Sequence, residues 1–166
     1  MISSSDLSVV GNVVLGVLVL GWILSRQVQK RPVTMSSLRV PVILAAVGLY
    51  ETTSFVRDAA PSSAVPVGAV ALLVLGVVVG GALAALRGYQ VRVWRDADGT
   101  VVRQGTGLTV LLWLVAIAAH LGVDVLIDHV SHPLAGLGSA SLVLYLGVVL
   151  GIQSLVVQHR ARLVAA

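Results

Sequence analysis

Four ionisable side chains lie within or at the edge of long apolar stretches and could do chemistry there: Glu51, His120, Asp124 and Asp128. The last three stand at i, i+4 and i+8, which on a helix is one face, and Trp113 precedes His120 by one heptad on that same face. In a low-dielectric setting a buried acid is pushed toward neutrality and neighbouring titratable groups are driven apart, so that an acid and a base can coexist near neutral pH. In such a site His120, held by Asp124, takes a proton from a lipophilic or peptide substrate, and Glu51 returns one from a facing helix. That chemistry suits isomerisation, epimerisation, elimination or hydrolysis. Tyr50, Trp113 and Asp128 are the candidates to line the substrate pocket.

The same residues admit plainer roles. His120 and Asp124 can be a hydrogen-bonded lock between helices, Glu51 a protonated acid bonded to backbone or to Tyr50, and Asp128 a solvated residue at a helix end. The chain is then a non-catalytic accessory or interaction subunit of a membrane complex. A proton relay through Glu51 and His120–Asp124 is a third reading, which needs a homo-oligomer because no inverted repeat is visible in the sequence. The chain has no cysteine and no Gly-x-Ser-x-Gly elbow, and Thr52, Thr53 and Ser154 have no base nearby in sequence, so no nucleophile is evident. His120-x-x-x-Asp124 and the run Asp128-His129-Val130-Ser131-His132 have ligand types but only weak metal-site character. A facing pair of axial histidines for haem is missing, as are nucleotide-binding loops. No metal and no cofactor are expected.

Any such site must be positioned by membrane-spanning elements. Of the 166 residues, 57% are hydrophobic and only 11% charged, with a mean hydropathy of +1.00, whereas soluble domains carry about a quarter of their residues as charges. That excludes a water-soluble globule. Apolar runs predict an all-α bundle of five spans forming a single transmembrane domain over 1–166: about Leu7–Leu24, Val40–Phe55, Val67–Leu86, Leu108–Ile127 and Ser139–Val157. Counting 1.5 Å per residue from each helix start, Glu51, His120 and Asp124 lie roughly 16, 18 and 24 Å deep, in the same outer half of the bilayer. Ten of the 11 Lys and Arg residues fall on one side of this scheme and only Arg57 on the other. The positive-inside rule therefore predicts an N-terminus outside and a C-terminus in the cytoplasm, and the net charge of +4 reads as topology and not as nucleic-acid binding. Met1–Ser8 holds Asp6 and no basic residue, so the first span is expected to remain as an anchor. Small residues at four-residue spacing, Gly76, Gly80, Ala84 and Gly88, then Gly147 and Gly151, predict close helix packing within the chain or, alternatively, across a homodimer.

Between the third and fourth spans the sequence alternates as a strand does through Tyr89-Gln90-Val91-Arg92-Val93-Trp94-Arg95, turns at Asp96-Ala97-Asp98-Gly99 and returns through Thr100–Gln104. A cytoplasmic β-hairpin over about 89–104 follows. Tyr89, Arg92, Trp94, Arg95 and Arg103 suit contact with lipid headgroups, or with a cytoplasmic protein that pairs with a strand edge. Arg87-Gly88, Arg92-Val93-Trp94, Asp98-Gly99-Thr100-Val101 and Arg103-Gln104-Gly105-Thr106, followed by Leu112-Trp113, resemble the CcdC-like small integral-membrane proteins of actinobacteria over about residues 67–130. The resemblance implies a compact multispan bundle linked by name to cytochrome c biogenesis, and carries no active-site residues with it.

Overall fold

In hydrocarbon a backbone has no water to bond, so a long apolar run satisfies its own N–H and C=O groups as a helix. The computed structural model describes residues 28–59, 65–130 and 134–165, with Gly21 and Ser25. Within these it has four such helices: α1 Arg39–Ala59, α2 Val67–Gln90, α3 Gly107–Val130 and α4 Leu137–Ala165. All four are long and apolar enough to cross a membrane. A 3₁₀ turn, Met35–Leu38, leads directly into α1. The expected span at 7–24 lies outside the described residues except for Gly21, as do Ser131 and His132.

Every helix outruns its apolar stretch. α4 has 29 residues, about 43 Å at 1.5 Å per residue, against a hydrocarbon core of about 30 Å. Its last turns, from Gln158 onward, therefore stand clear of the apolar run. Six of the eight residues from Gln158 to Ala165 are Gln, Arg, Ala or Leu, good helix formers, and no Gly or Pro stops the helix there. α2 likewise continues through Gln90, so Tyr89 sits on its last turn and not on a strand.

The helices alternate in direction, and α4 touches the other three. Glycines set the approach. On the α1–α4 crossing a Cβ at Gly48 would strike the Leu144 backbone, and one at Gly147 would strike Ala45. On the α2–α4 crossing Gly80 lies against the Tyr145 ring, and a Cβ at Gly88 would come within 2.8 Å of Val156. Gly76, Gly80, Ala84 and Gly88 are all buried, so the small-residue stripe packs inside the chain. Ala69, Ile127, Leu134 and Leu137 form the core at one end, with Phe55 against it, and Ala84, Tyr145 and Val149 form it further along.

At the other end lies a small sheet. Strands β2 Arg92–Arg95 and β3 Val101–Gln104 form the hairpin, and a two-residue strand β1, Arg31–Pro32, adds to the far edge of β3 in the order β1-β3-β2. The turn closes as expected: Gly99 takes φ 82°, and Asp96 N–H donates to the Thr100 carbonyl at 2.8 Å. β1 carries a proline that can make no ladder donation, which an edge position tolerates. Connectivity gathers Lys30, Arg31, Arg39, Arg87, Arg92, Arg95, Arg103, Arg160 and Arg162 at this sheet end, and leaves Arg57, Asp58 and Asp128 at the opposite one.

Candidate functional site

The face of α3 that carries Trp113, Ala116, His120 and Ile127 is buried, and it meets the first turns of α4. His120 is 4% exposed. Its Nε2 lies 3.1 Å from the Gly138 carbonyl; since a carbonyl only accepts, Nε2 carries the proton and Nδ1 does not need to. The imidazole stacks on Tyr145 with centroids 4.3 Å apart, and the Tyr145 hydroxyl donates back to the Ala116 carbonyl at 2.7 Å. Ser141 donates to the same Gly138 carbonyl at 2.9 Å.

The two aspartates hold the start of α4. Asp124 accepts from Ser139 N–H at 3.2 Å and from Ser139 Oγ at 2.9 Å, and Asp128 accepts from Gly136 N–H at 2.9 Å. The first N–H groups of any helix have no intrahelical partner, and a carboxylate there also meets the positive end of the helix dipole. A Cβ at Gly138 would collide with the Asp124 carboxylate, so the glycine makes the close approach possible.

This departs from the expected pairing. His120 and Asp124 are not bonded to each other; each is bonded to a different backbone group of α4. Glu51 and Tyr50 are exposed on α1, while that helix buries Pro41, Gly48 and Thr52, and no hydrogen bond joins Glu51 to the α3 cluster. Trp113 is buried on the cluster's own face, 6% exposed. His129 is exposed, with Nδ1 donating to the Val125 carbonyl of its own helix at 3.1 Å. Among the described residues no three His, Asp or Glu side chains are grouped to hold a metal ion.

The sheet end has the opposite electrostatic character. Arg92 and Arg95 are exposed, and Trp94 and Arg103 are half-buried. Lys30 pairs with Asp96 at 2.5 Å and lies 5.9 Å from the centroid of the Trp94 ring. The hydrogen bond from Lys30 holds the Asp96 carboxyl below its usual range. Arg160, at the end of α4, donates to the carbonyls of Gly88, Tyr89 and Val91 at 2.9, 2.8 and 2.6 Å. It caps the negative end of α2, where carbonyls would otherwise be unmet. Arg95 donates to the Ala165 carbonyl at 2.6 Å. Arg87, 1% exposed, has no hydrogen-bond partner at Nε, Nη1 or Nη2.

Neither Arg87 nor Arg160 is among the site residues expected from the sequence, and nothing in the sequence pairs the segment at Arg31 with the hairpin. A cavity of about 430 Å³ lined by Arg31, Pro32, Thr34, Ser37 and Arg103 results from that third strand. The available signal was the position of both arginines at the flank of an apolar run, where a guanidinium either snorkels or finds a partner. No protein-family model, curated protein or solved structure matches the chain.

Proposed function

We propose that this chain is a multi-pass protein of a bacterial plasma membrane, with a fifth span at about 7–24, its N-terminus outside and its C-terminus inside, that works by binding at its basic cytoplasmic end. In this reading it is an accessory or interaction subunit, of the CcdC-like kind, and the polar cluster in the outer half is a helix lock.

One contrast carries the reading. At the acidic end the Asp124 and Asp128 carboxylates and His120 Nε2 are engaged by the first residues of α4. At the basic end cations are in excess: the side chains of exposed Arg92 and half-buried Arg103 make no hydrogen bond among the described residues, and the one ion pair among them is Lys30–Asp96. A cluster whose atoms are occupied by its own fold has little left for a substrate. A surplus of cations in the headgroup layer attracts anions, at about 1 kcal/mol per basic residue near an anionic surface.

The reading is tested by the phospholipid that copurifies with the full chain from a membrane containing phosphatidylglycerol and phosphatidylethanolamine. Enrichment of phosphatidylglycerol around the wild-type protein should fall severalfold in Arg92→Gln/Arg95→Gln, with helicity unchanged. An unaltered lipid ratio would reduce the hairpin to architecture.

A further inference from the structure

We propose that the cleft between Arg31 and Arg103 is a binding site for a phosphate group, presented by an anionic lipid headgroup or free in solution.

The first argument is register. β1 pairs with β3 so that Arg31 stands directly opposite Arg103, and like charges facing each other across a ladder destabilise it. Strand β1 is only two residues long, so it has little else to hold it there: one further backbone bond, Val33 N–H to the Val101 carbonyl at 3.0 Å, and Gln104 Nε2 to the Val28 carbonyl at 3.0 Å. No described carboxylate relieves the pair. Arg31 has a long hydrogen bond to Gln29 Oε1 at 3.4 Å, the side chain of Arg103 has no hydrogen bond among the described residues, and the nearby acid, Asp96, is taken by Lys30. An anion between the two guanidinium groups turns the repulsion into two attractions.

The second argument is the cavity itself. Its lining residues are Arg31, Arg103, Thr34, Ser37 and Pro32, which between them carry two guanidinium groups and two hydroxyls. Thr34 Oγ1 bonds Ser36 Oγ at 2.9 Å, and Ser37 Oγ accepts from Gln158 Nε2 at 3.0 Å, which leaves the Ser37 hydroxyl proton able to donate inward. Guanidinium forks match the spacing of phosphate oxygens, and two forks with two hydroxyls suit a tetrahedral oxyanion better than a flat carboxylate. The 3₁₀ turn that opens α1 begins at this wall, with no side-chain cap from Thr34 and no acid in its first turn, so the unmet N–H end of a long helix adds to the positive potential. Burial, and then the charge of Arg31, lower the pKa of Arg103 from its usual value, as expected of two cations held together without a counterion.

The lipid source rests on the orientation proposed above, which puts the start of α1 at headgroup level; the affinity for phosphate does not. The test uses the full chain in a nonionic detergent, titrated with inorganic phosphate and, separately, with dioctanoyl phosphatidylglycerol, the readout being the thermal unfolding midpoint. At least one of the two should raise the midpoint saturably. Arg31→Gln/Arg103→Gln should weaken that effect tenfold or more, Arg31→Lys/Arg103→Lys should weaken it less, and Arg39→Gln/Arg162→Gln, which removes the same charge from exposed positions at the same end, should leave it within threefold. Without added anion, Arg103→Gln should melt at or above the wild type, because it removes the repulsion; a purely structural arginine would melt below. Binding of inorganic phosphate but not of the lipid keeps the site and sinks the headgroup-facing reading. Equal weakening by both glutamine pairs means diffuse attraction, which overturns the site and leaves that reading standing. Absence of any saturable shift in the wild type overturns the site as well.

Discussion

At the scale of single residues, His120 and Glu51 are ionisable groups on long apolar helices with opposite circumstances. His120 loses water on every side and regains a hydrogen bond and a ring stack; Glu51 is exposed on α1 with no bond among the described residues. Position along a helix was legible in the sequence, because it follows from counting residues. Azimuth and neighbour identity were not, because a helix at a given depth can turn any face to any neighbour. The two placements give separable outcomes. Asp124→Ala removes the acceptor of two Ser139 donors, and should lower the unfolding free energy by about 1–3 kcal/mol. His120→Ala should cost a similar amount, with His120→Gln closer to wild type because it can still donate. Glu51→Gln should stay within about 0.5 kcal/mol. Denaturant unfolding of the detergent-purified variants measures all four. A Glu51→Gln variant as unstable as Asp124→Ala would reveal a structural partner for Glu51; a stable Glu51→Gln/His120→Gln variant that loses output of the host pathway would restore acid–base chemistry as the better account.

At the scale of elements, the four described spans were legible because each is an apolar run of bilayer length, and the hairpin because strand alternation ends in an Asp-Ala-Asp-Gly turn. The helix ends were missed by up to two turns. Apolarity marks where hydrocarbon ends, whereas a helix stops where its caps are, and Arg160 caps α2 from another element entirely. Strand β1 was illegible for a different reason: two residues containing a proline have no periodicity to read, and only the β3 edge gives them a conformation. The glycine stripe was legible as packing, and the structure adds which glycines are indispensable. At Gly48 and Gly147 an added side chain meets helix backbone on the partner, which cannot move aside as a flexible side chain can. Gly48→Leu or Gly147→Leu should therefore separate α1 from α4 and cost more than about 3 kcal/mol, at or above the upper end of overpacking effects. Gly122→Ala is the matched control, since nothing lies within 4 Å of its would-be Cβ, and it should be neutral or stabilising by up to about 1 kcal/mol. Thermal unfolding of the three variants in one detergent gives the order; equal stability of all three would remove glycine contact as the basis of the α1–α4 crossing.

At the scale of the whole molecule, the bundle is an electrical dipole as much as a packed solid. Its even number of described spans returns the chain to the sheet end, so that β1, the hairpin and the last turns of α4 are neighbours in space although 31 and 165 are far apart in sequence. Nine of the basic residues collect there, and only Arg57 among the described ones does not. Charge at one end of a bundle selects orientation during insertion, because moving cationic loops across the membrane is disfavoured. The expected outcome is that single cysteines introduced at Thr100 and Ala165 react with a membrane-impermeant maleimide only after the cytoplasmic side is opened, and that cysteines at Ser4 and Ser62 react in intact cells. The chain contains no cysteine of its own, so the background is clean. Thr100 is the decisive position, being exposed on the hairpin turn, where labelling reports side and not burial. Labelling at Thr100 from outside would invert the bundle, put the Arg31–Arg103 cleft in the outer leaflet and remove the cytoplasmic partner from consideration. Labelling at Ser4 from inside, with Thr100 also inside, would leave the four described helices oriented as proposed and eliminate the fifth span alone.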